Sequence, residues 1–424
     1  MSHAIEAVWR IESARVIAGL ARLVRDLGLA EDCAQDALLA AVEQWPQSGV
    51  PDNPGAWLMA VGKRRAIDQI RRNERLERKQ EQLGRELEIH VAGADSDEID
   101  KTLGDDIGDD LLRLVFTACH PVLLGGLTTE EIARAFLVSD STIAQRIVRA
   151  KRTLADAQVP FEVPSGDELS SRLPSVLEVI YLIFNEGYSA TAGDDWMRPE
   201  LCGEALRLGR IVAELMPTEP EVHGLVALME IQASRVRART GPSGEPILLL
   251  QQNRGRWDHL LIRRGLAALT RAEQLDAQRG TDRTSQPYGP YALQAAIAAC
   301  HARASTPQDT DWPRIAALYD TLAALTPSPI VELNRAVALS MAYGPAAGLA
   351  LVDQLTHEPS LRDYHLLPSV RGDLLTRLGR LDEARTEFER AAAMTRNERE
   401  RTLLLDRARG LPDSGTATRL SRSP

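Results

Sequence analysis

The chain has 424 residues, a formal net charge of -10, 26% charged residues and only 4% aromatic residues. That length exceeds what one hydrophobic core organises, and the acidic balance excludes a uniformly basic nucleic-acid binder while allowing a segregated basic surface. Cys33, Cys119, Cys202 and Cys300 stand far apart with no C-x-x-C spacing, which excludes a disulfide scaffold or zinc ribbon and fits a reducing cytosol. The first residues, MSHAIEAVWRIESARV, are too charged for a signal-peptide core, and no apolar run approaches bilayer length. Ala, Leu and Arg are abundant and alternating patterns are nearly absent, so an all-α, cytoplasmic protein is expected.

Residues 3–46 read as two or three helices. Ile5, Val8, Trp9, Ile11, Val16, Ile17, Leu20, Leu23 and Val24 keep a helical period, which Gly28 ends. The next helix begins near Ala30 and carries Glu31, Asp32, Gln35, Asp36 and Glu43 outside an Ala/Leu core face. Trp45-Pro46 is expected to stop it, because proline removes a donor and clashes with the preceding turn. A polar loop, Gln47 to Asn53, follows. Asn53-Pro54-Gly55 opens a further helix running to Arg75. At 100° per residue, Met59, Ala66, Ile67 and Ile70 share one side. Arg64, Arg65, Arg71, Arg72 and Arg75 share an opposing arc with Trp57 and Val61. Guanidinium groups that meet phosphates, beside an indole that stacks on a base, suit a single nucleic-acid strand. An Arg-rich solvated face is the alternative that composition leaves open.

From residue 81 to 109 acidic residues crowd a segment with few large apolar side chains, which reads as a linker. Residues 110–158 form a second small unit. Leu111, Leu112, Leu114, Val115 and Phe116 make an apolar helix that Pro121 and Gly125-Gly126 end. Thr128 or Thr129 caps the next helix, a short turn follows at Leu137-Val138-Ser139, and Ser139 or Asp140 caps another. Two short helices, a tight turn and a small residue at the crossing make a helix-turn-helix pattern. In the second helix Ile143, Ile147, Ala150 and Leu154 face one way. Thr142, Gln145, Arg146, Arg149 and Arg152 face the other, with no carboxylate among them. Such a face suits a major groove, polar groups reading base edges and guanidiniums meeting phosphates or guanine.

Residues 165–300 read as a helical extension and 301–410 as tetratricopeptide-like (TPR-like) helical repeats. Breaks are expected at Pro217–Pro220, Thr240–Pro246, Arg279–Pro290 and Thr306–Asp311. Gly344 and Gly379 each close a helix. Gly372, Gly379, Ala384, Phe388 and Ala391 stand at the spacings of such a repeat, with Phe filling the gap between paired helices. Residues 411–424 read as a disordered tail.

In this order, residues 3–158 resemble a bacterial RNA polymerase sigma factor of the extracytoplasmic-function type. Asp32-Cys33-Ala34-Gln35-Asp36-Ala37 is similar to that family's polymerase-binding helix. Trp57-Leu58, Ala66-Ile67-Asp68 and Arg71-Arg72 are similar to its promoter-melting helices, and Leu127 to Leu154 to its -35-reading helix-turn-helix. The fold implied is all-α: two small sigma domains, residues 1–80 and 110–158, joined by the acidic linker and followed by the TPR-like array. Asn185-Glu186-Gly187-Tyr188, Gly289-Pro290-Tyr291, Thr310-Asp311-Trp312 and Pro327-Ser328-Pro329 resemble a subgroup with that extension. The resemblance implies that Asp32, Gln35 and Asp36 bind core RNA polymerase, and that the loop Gln47–Asn53 holds an extruded base. It also implies that Trp57, Arg64, Arg65, Arg71, Arg72 and Arg75 bind -10 DNA, and that Thr142, Gln145, Arg146, Arg149 and Arg152 bind -35 DNA. Many members carry Asn where Arg64 stands, so no base contact is assigned there. Asp68 is expected to orient the arginines around it.

No enzyme, cofactor or metal is expected: there is no P-loop, dinucleotide-binding glycine pattern or catalytic triad. The partners implied are core polymerase, promoter DNA and a protein or peptide ligand of the extension, with no membrane. Asn185 to Tyr188 with Asp194, Asp195 and Trp196 reads as a turn between helices rather than a carboxylate site. Cys119-His120 reads as a helix end, and Gln252 to Asp258 as an inter-helix loop with Trp257 packed inward. The competing function is a helix-turn-helix DNA-binding transcription regulator with a TPR sensor domain that does not replace sigma.

Overall fold

The computed structural model describes residues 2–24, 27–84, 141, 145, 167–190, 192–193, 195–279 and 288–412. The chain divides into two compact units, residues 1–179 and 180–424. The linker from residue 85 onward, most of the helix-turn-helix stretch including Cys119-His120, and the tail from residue 413 lie outside the described residues.

In the N-terminal unit α1 (Ser2–Val24), α2 (Leu27–Ser48) and α3 (Pro54–Gly84) each pack on the other two. Their shared core holds Val16, Leu20, Ala34, Ala37, Ala41, Trp45, Leu58 and Ala66, all buried. The small residues on α2 let α1 and α3 come close. At Gly62 a Cβ would stand 2.8 Å from a methyl of Leu20, so a side chain there would force buried Leu20 out of its place between α1 and α3. Three boundaries differ from the expectation. Gly28 lies inside α2 rather than between helices, and Pro46 does not end α2, which continues to Ser48. Trp45 supplies the reason: it is 1% exposed, and its packing against the core holds the last turn. Helix α3 continues past residue 80 to Gly84, so the first residues assigned to the linker are helical. Gln47 and Ser48 belong to α2, and the loop proper begins at Gly49, whose φ of 82 suits glycine.

The second unit begins within α4 (Asp167–Tyr188) and continues through α5 (Pro199–Leu215), α6 (Pro220–Ala233), α7 (His259–Arg279), α8 (Pro290–Arg303) and α9 (Trp312–Leu325). It ends with α10 (Pro329–Tyr343), α11 (Pro345–Leu355), α12 (Leu366–Arg377), α13 (Leu381–Met394) and α14 (Glu398–Arg409). Proline opens α5, α6, α8, α10 and α11 and stands second in α9, positions where its missing N–H costs nothing. Consecutive helices pack on one another from α8 to α14. Helix α8 runs through residue 300, so no boundary falls there. Ala295, Ala296 and Ala299 on one side of it pack against α6 and α7 residues, while Leu293, Ile297 and Cys300 join Ile315 and Leu322 of α9. Helices α12 and α13 pack closely where Gly372 meets Phe388. A Cβ on Gly372 would stand 2.9 Å from the Phe388 ring, so the glycine makes room for the phenyl group. Ala384, Phe388 and Ala391 are buried.

A short parallel pairing was not legible from the helical pattern. Strand β1 (Ala192–Gly193) pairs with β2 (Arg396–Asn397), joining the loop after α4 to the connection between α13 and α14. Asn397 is 0% exposed. Its Nδ2 donates to the carbonyls of Asp195 at 2.8 Å and Ala190 at 3.3 Å, while its Oδ1 accepts from the Glu400 amide at 3.2 Å. One side chain thus caps α14 and fastens the start of the extension to its end.

Candidate polymerase and nucleic-acid interface

Helix α2 presents Asp32, Gln35 and Asp36 to solvent. They sit one turn apart on one face, directly over Cys33, whose thiol is buried. Burial pushes that thiol's pKa up, and the neighbouring charges of Asp36 and Asp32 push it further, so the sulfur stays protonated and serves as packing. The same outer face continues to Leu39, 61% exposed, and Val42, 50% exposed. Positions 32, 35, 36, 39 and 42 follow helical spacing, so the exposed face is acidic at one end and apolar at the other. The Ala/Leu pattern of α2 points these two residues toward the core, whereas they are exposed. Their signal was their register with Asp32 rather than with Ala34 and Ala37.

On α3, Ala66 and Leu58 are buried, while Arg64, Arg65 and Arg71 are exposed. Arg72 and Arg75 lie on the same helix, with side chains outside the described set. The cationic arc is therefore presented to solvent at each described position. Trp57 is placed differently from the expectation. It is half-buried against the core and meets Trp45 edge-on, with ring centroids 5.3 Å apart and planes at 63°. One ring edge serves the core, and Val61 also packs inward rather than among the arginines. Asp68 is exposed, and among the described side chains it has no ion pair with Arg64, Arg65 or Arg71. Exposed pairs at these helical spacings gain only about 0.2–0.5 kcal/mol, which leaves each charge free to stay hydrated. Asn53 caps α3, its Oδ1 accepting from the Ala56 amide at 3.0 Å, which fixes where the helix starts under the exposed 49–53 loop.

Of the residues expected to read -35 DNA, Gln145 is helical and exposed, as is its neighbour Ser141. Thr142, Arg146, Arg149 and Arg152 lie outside the described residues. Among the described residues no group of His, Cys, Asp and Glu has a metal-holding arrangement, and no helix is long and apolar enough to cross a membrane.

Over 398 residues the chain is 42% identical to Uncharacterized protein R00370 of Rhizobium meliloti (strain 1021), covering 91% of this chain and 90% of that protein. Residues 10–76 match the family Sigma-70 region 2, which spans the three helices just described. The chain is also 29% identical over 158 residues to ECF RNA polymerase sigma factor SigK of Mycobacterium bovis and of Mycobacterium tuberculosis, covering 33% of this chain and 78% of theirs. The chain is a sigma factor: it carries a Sigma-70 region 2 domain, is similar over its N-terminal third to ECF sigma factors, and continues in a long C-terminal extension. Within that extension, residues 172–273 match a family of unknown function (DUF6596). No solved structure matches this sigma factor.

In the extension of the sigma factor, Asn185 to Tyr188 form the last turn of α4 rather than an inter-helix turn. Glu186 is buried and ion-paired with buried Arg198 at 3.4 Å, which occupies the carboxylate with structure. Trp257 is 4% exposed and packs with Ala238 and Ile262, as the loop reading expected.

Proposed function

We propose that this sigma factor directs core RNA polymerase to specific promoters, reading -35 and -10 elements and helping to melt the duplex, with the helical extension setting its activity. The observation that carries the reading is the Sigma-70 region 2 match on a three-helix unit whose exposed faces are acidic on α2 and cationic on α3. Asp32, Gln35 and Asp36 meet basic side chains of the polymerase, where opposite charge steers encounter and fixes register. Leu39 and Val42 add an apolar contact next to them. Arg64, Arg65, Arg71, Arg72 and Arg75 hold the phosphates of the melted strand, and Trp57 offers its remaining ring edge at the upstream end of that surface. Thr142, Gln145, Arg146, Arg149 and Arg152 read the -35 element as a major-groove helix. The sigma factor makes and breaks no covalent bond in this scheme, and it works in the cytoplasm.

The extension presents paired helices to a protein or peptide ligand, as TPR-like arrays do. In this reading it gates promoter binding. Run-off transcription with purified core polymerase tests both parts. The full chain should start transcripts with no other sigma present, and truncation after residue 164 should change their yield or their response to the inducing condition. Transcription identical with and without residues 165–424, under inducing and resting conditions alike, would remove the gating role.

A further inference from the structure

Many described arginines of the extension are ion-paired with carboxylates, among them Arg198 with Glu186, Arg210 and Arg264 with Glu230, and Arg371 with Asp353 and Glu387. One patch departs from this. The turn Val236–Ala238 after α6 and the turn Arg254–Arg256 before α7 face each other across an open cleft of about 580 Å³. Val236, Arg237, Thr240, Gly255, Arg256, Trp257 and Asp258 line it. Arg237 and Arg256 are exposed, and among the described residues neither has an ion pair or a hydrogen-bonded side-chain partner.

Behind them stand Arg235, Arg239 and Arg254, also without an ion-paired carboxylate among the described residues. They are held by neutral groups. Arg239 lies over Tyr188 with its guanidinium carbon 3.6 Å from the ring centroid, and it donates to the Tyr188 carbonyl. Arg254 donates to the carbonyls of His301 at 2.7 Å and Ala304 at 2.5 Å and to the Thr310 hydroxyl at 3.0 Å. Arg235 and Arg254 both lie over Trp257, at 5.7 and 5.1 Å. These contacts fix the guanidiniums without removing their charge. The field shows in the neighbouring groups: burial and then Arg235 lower the pKa of both Arg239 and Arg254, and burial with Arg235 and Arg254 brings His301 down to about 4. Two carboxylates lie nearby: Asp258, which lines the cleft, and Asp309, whose charge acts on Arg254 against the other arginines, and both are held by helix-cap hydrogen bonds rather than by an arginine. Asp258 Oδ1 accepts from the Leu260 and Leu261 amides, and Asp309 Oδ2 from the Thr306 amide and hydroxyl.

We propose that this cleft is a binding site for a small oxyanion ligand, a phosphate- or polycarboxylate-bearing molecule held between Arg237 and Arg256. Its volume falls in the range of small-molecule sites, about 300–1,000 Å³. Planar guanidiniums on two facing turns match the oxygens of either anion, and the arginines behind them supply a fixed positive field. A bound dianion would relieve the mutual repulsion of these arginines, which Asp258 and Asp309 offset only in part. The site belongs to the extension alone and stands whether or not the extension gates transcription.

The test is calorimetric titration of the full chain with pyrophosphate and, separately, with citrate, at constant ionic strength so that screening does not change. At least one probe should bind saturably, and Arg237→Ala with Arg256→Ala should weaken it at least tenfold. Arg271→Ala, an exposed arginine on α7 outside the cleft, should not. Because both cleft residues are exposed, the unliganded variant should melt with the wild type, which separates lost binding from lost fold. Tighter pyrophosphate binding identifies a phosphate-bearing ligand and tighter citrate binding a polycarboxylate. Saturable binding of neither probe, or binding that survives the double substitution, overturns the proposal.

Discussion

Replacing Asn397 with Ala tests how the extension is closed. The wild-type side chain is wholly buried, donates to two carbonyls in the 190–195 loop and caps α14. Loss of the cap should cost about 1 kcal/mol, and the buried Ala190 carbonyl left without that donor adds about 1–3 kcal/mol, while the carbonyl of exposed Asp195 can turn to water, for a total of about 2–4 kcal/mol. Urea unfolding of the full chain followed by far-ultraviolet circular dichroism would read this as a lower midpoint for the extension's transition. Hydrogen exchange should show lost protection at β1 and β2 together. Asn397→Asp sharpens the assignment. It keeps an oxygen to cap α14 but turns an acceptor toward two carbonyls, so it should lose the clasp while sparing the cap. A change below about 0.5 kcal/mol for Asn397→Ala, the ordinary range of a surface substitution, would refute the reasoning. Trp196 follows this loop and lies 5.4 Å from the Arg239 guanidinium, so the clasp also bears on the cationic patch.

Further predictions follow from the same side chains. His301, with its pKa brought down to about 4, is neutral in the folded protein across a range where the unfolded chain would protonate it. The unfolded state therefore binds more protons between about pH 6.5 and 4, so stability is full above that window and falls as pH drops through it, by up to about 3 kcal/mol. His301→Gln should flatten that part of the profile in thermal melts recorded against pH, and an unchanged slope would remove His301 as its source. Leu39→Asp should weaken core-polymerase binding at least fivefold in a fluorescence titration while leaving the melting temperature unchanged, because the side chain is 61% exposed. Unaltered affinity would take Leu39 out of the interface. Arg71→Ala with Arg72→Ala should impair promoter opening, read by permanganate reactivity of unpaired thymines, more than it impairs polymerase binding. Equal losses in both assays would argue against a role on the melted strand.

Much of the helical framework is legible in the sequence because it rests on local signals. Pro220, Pro290 and Pro329 mark helix starts, Gly344 and Gly379 take positive φ at helix ends, and Gly372 with Phe388 forms the close crossing that their spacing implies. The acidic face of α2 and the cationic face of α3 are legible for the same reason: helical period separates Asp32 and Asp36 from Cys33, and Arg64 and Arg65 from Ala66. What the sequence hides depends on distant partners. Pro46 does not end α2 because Trp45 is anchored by residues of other helices. Trp57 turns toward Trp45, which periodicity within α3 cannot foresee. The β1–β2 pairing joins residues 192 and 396 across the whole extension, and two-residue strands carry no alternation to detect. The cationic cleft likewise arises where two short turns meet, each unremarkable alone.

As the specificity subunit of an initiating polymerase, the protein should direct core enzyme to its own promoters. Purified core RNA polymerase, the full chain as sole sigma, and a library of promoter fragments from its source genome provide the direct measurement. Discrete run-off transcripts should depend on the protein and disappear when Asp32 and Asp36 are both changed to Arg. Failure of the full chain to bind core polymerase, or transcripts no different from those of core polymerase alone, would contradict it.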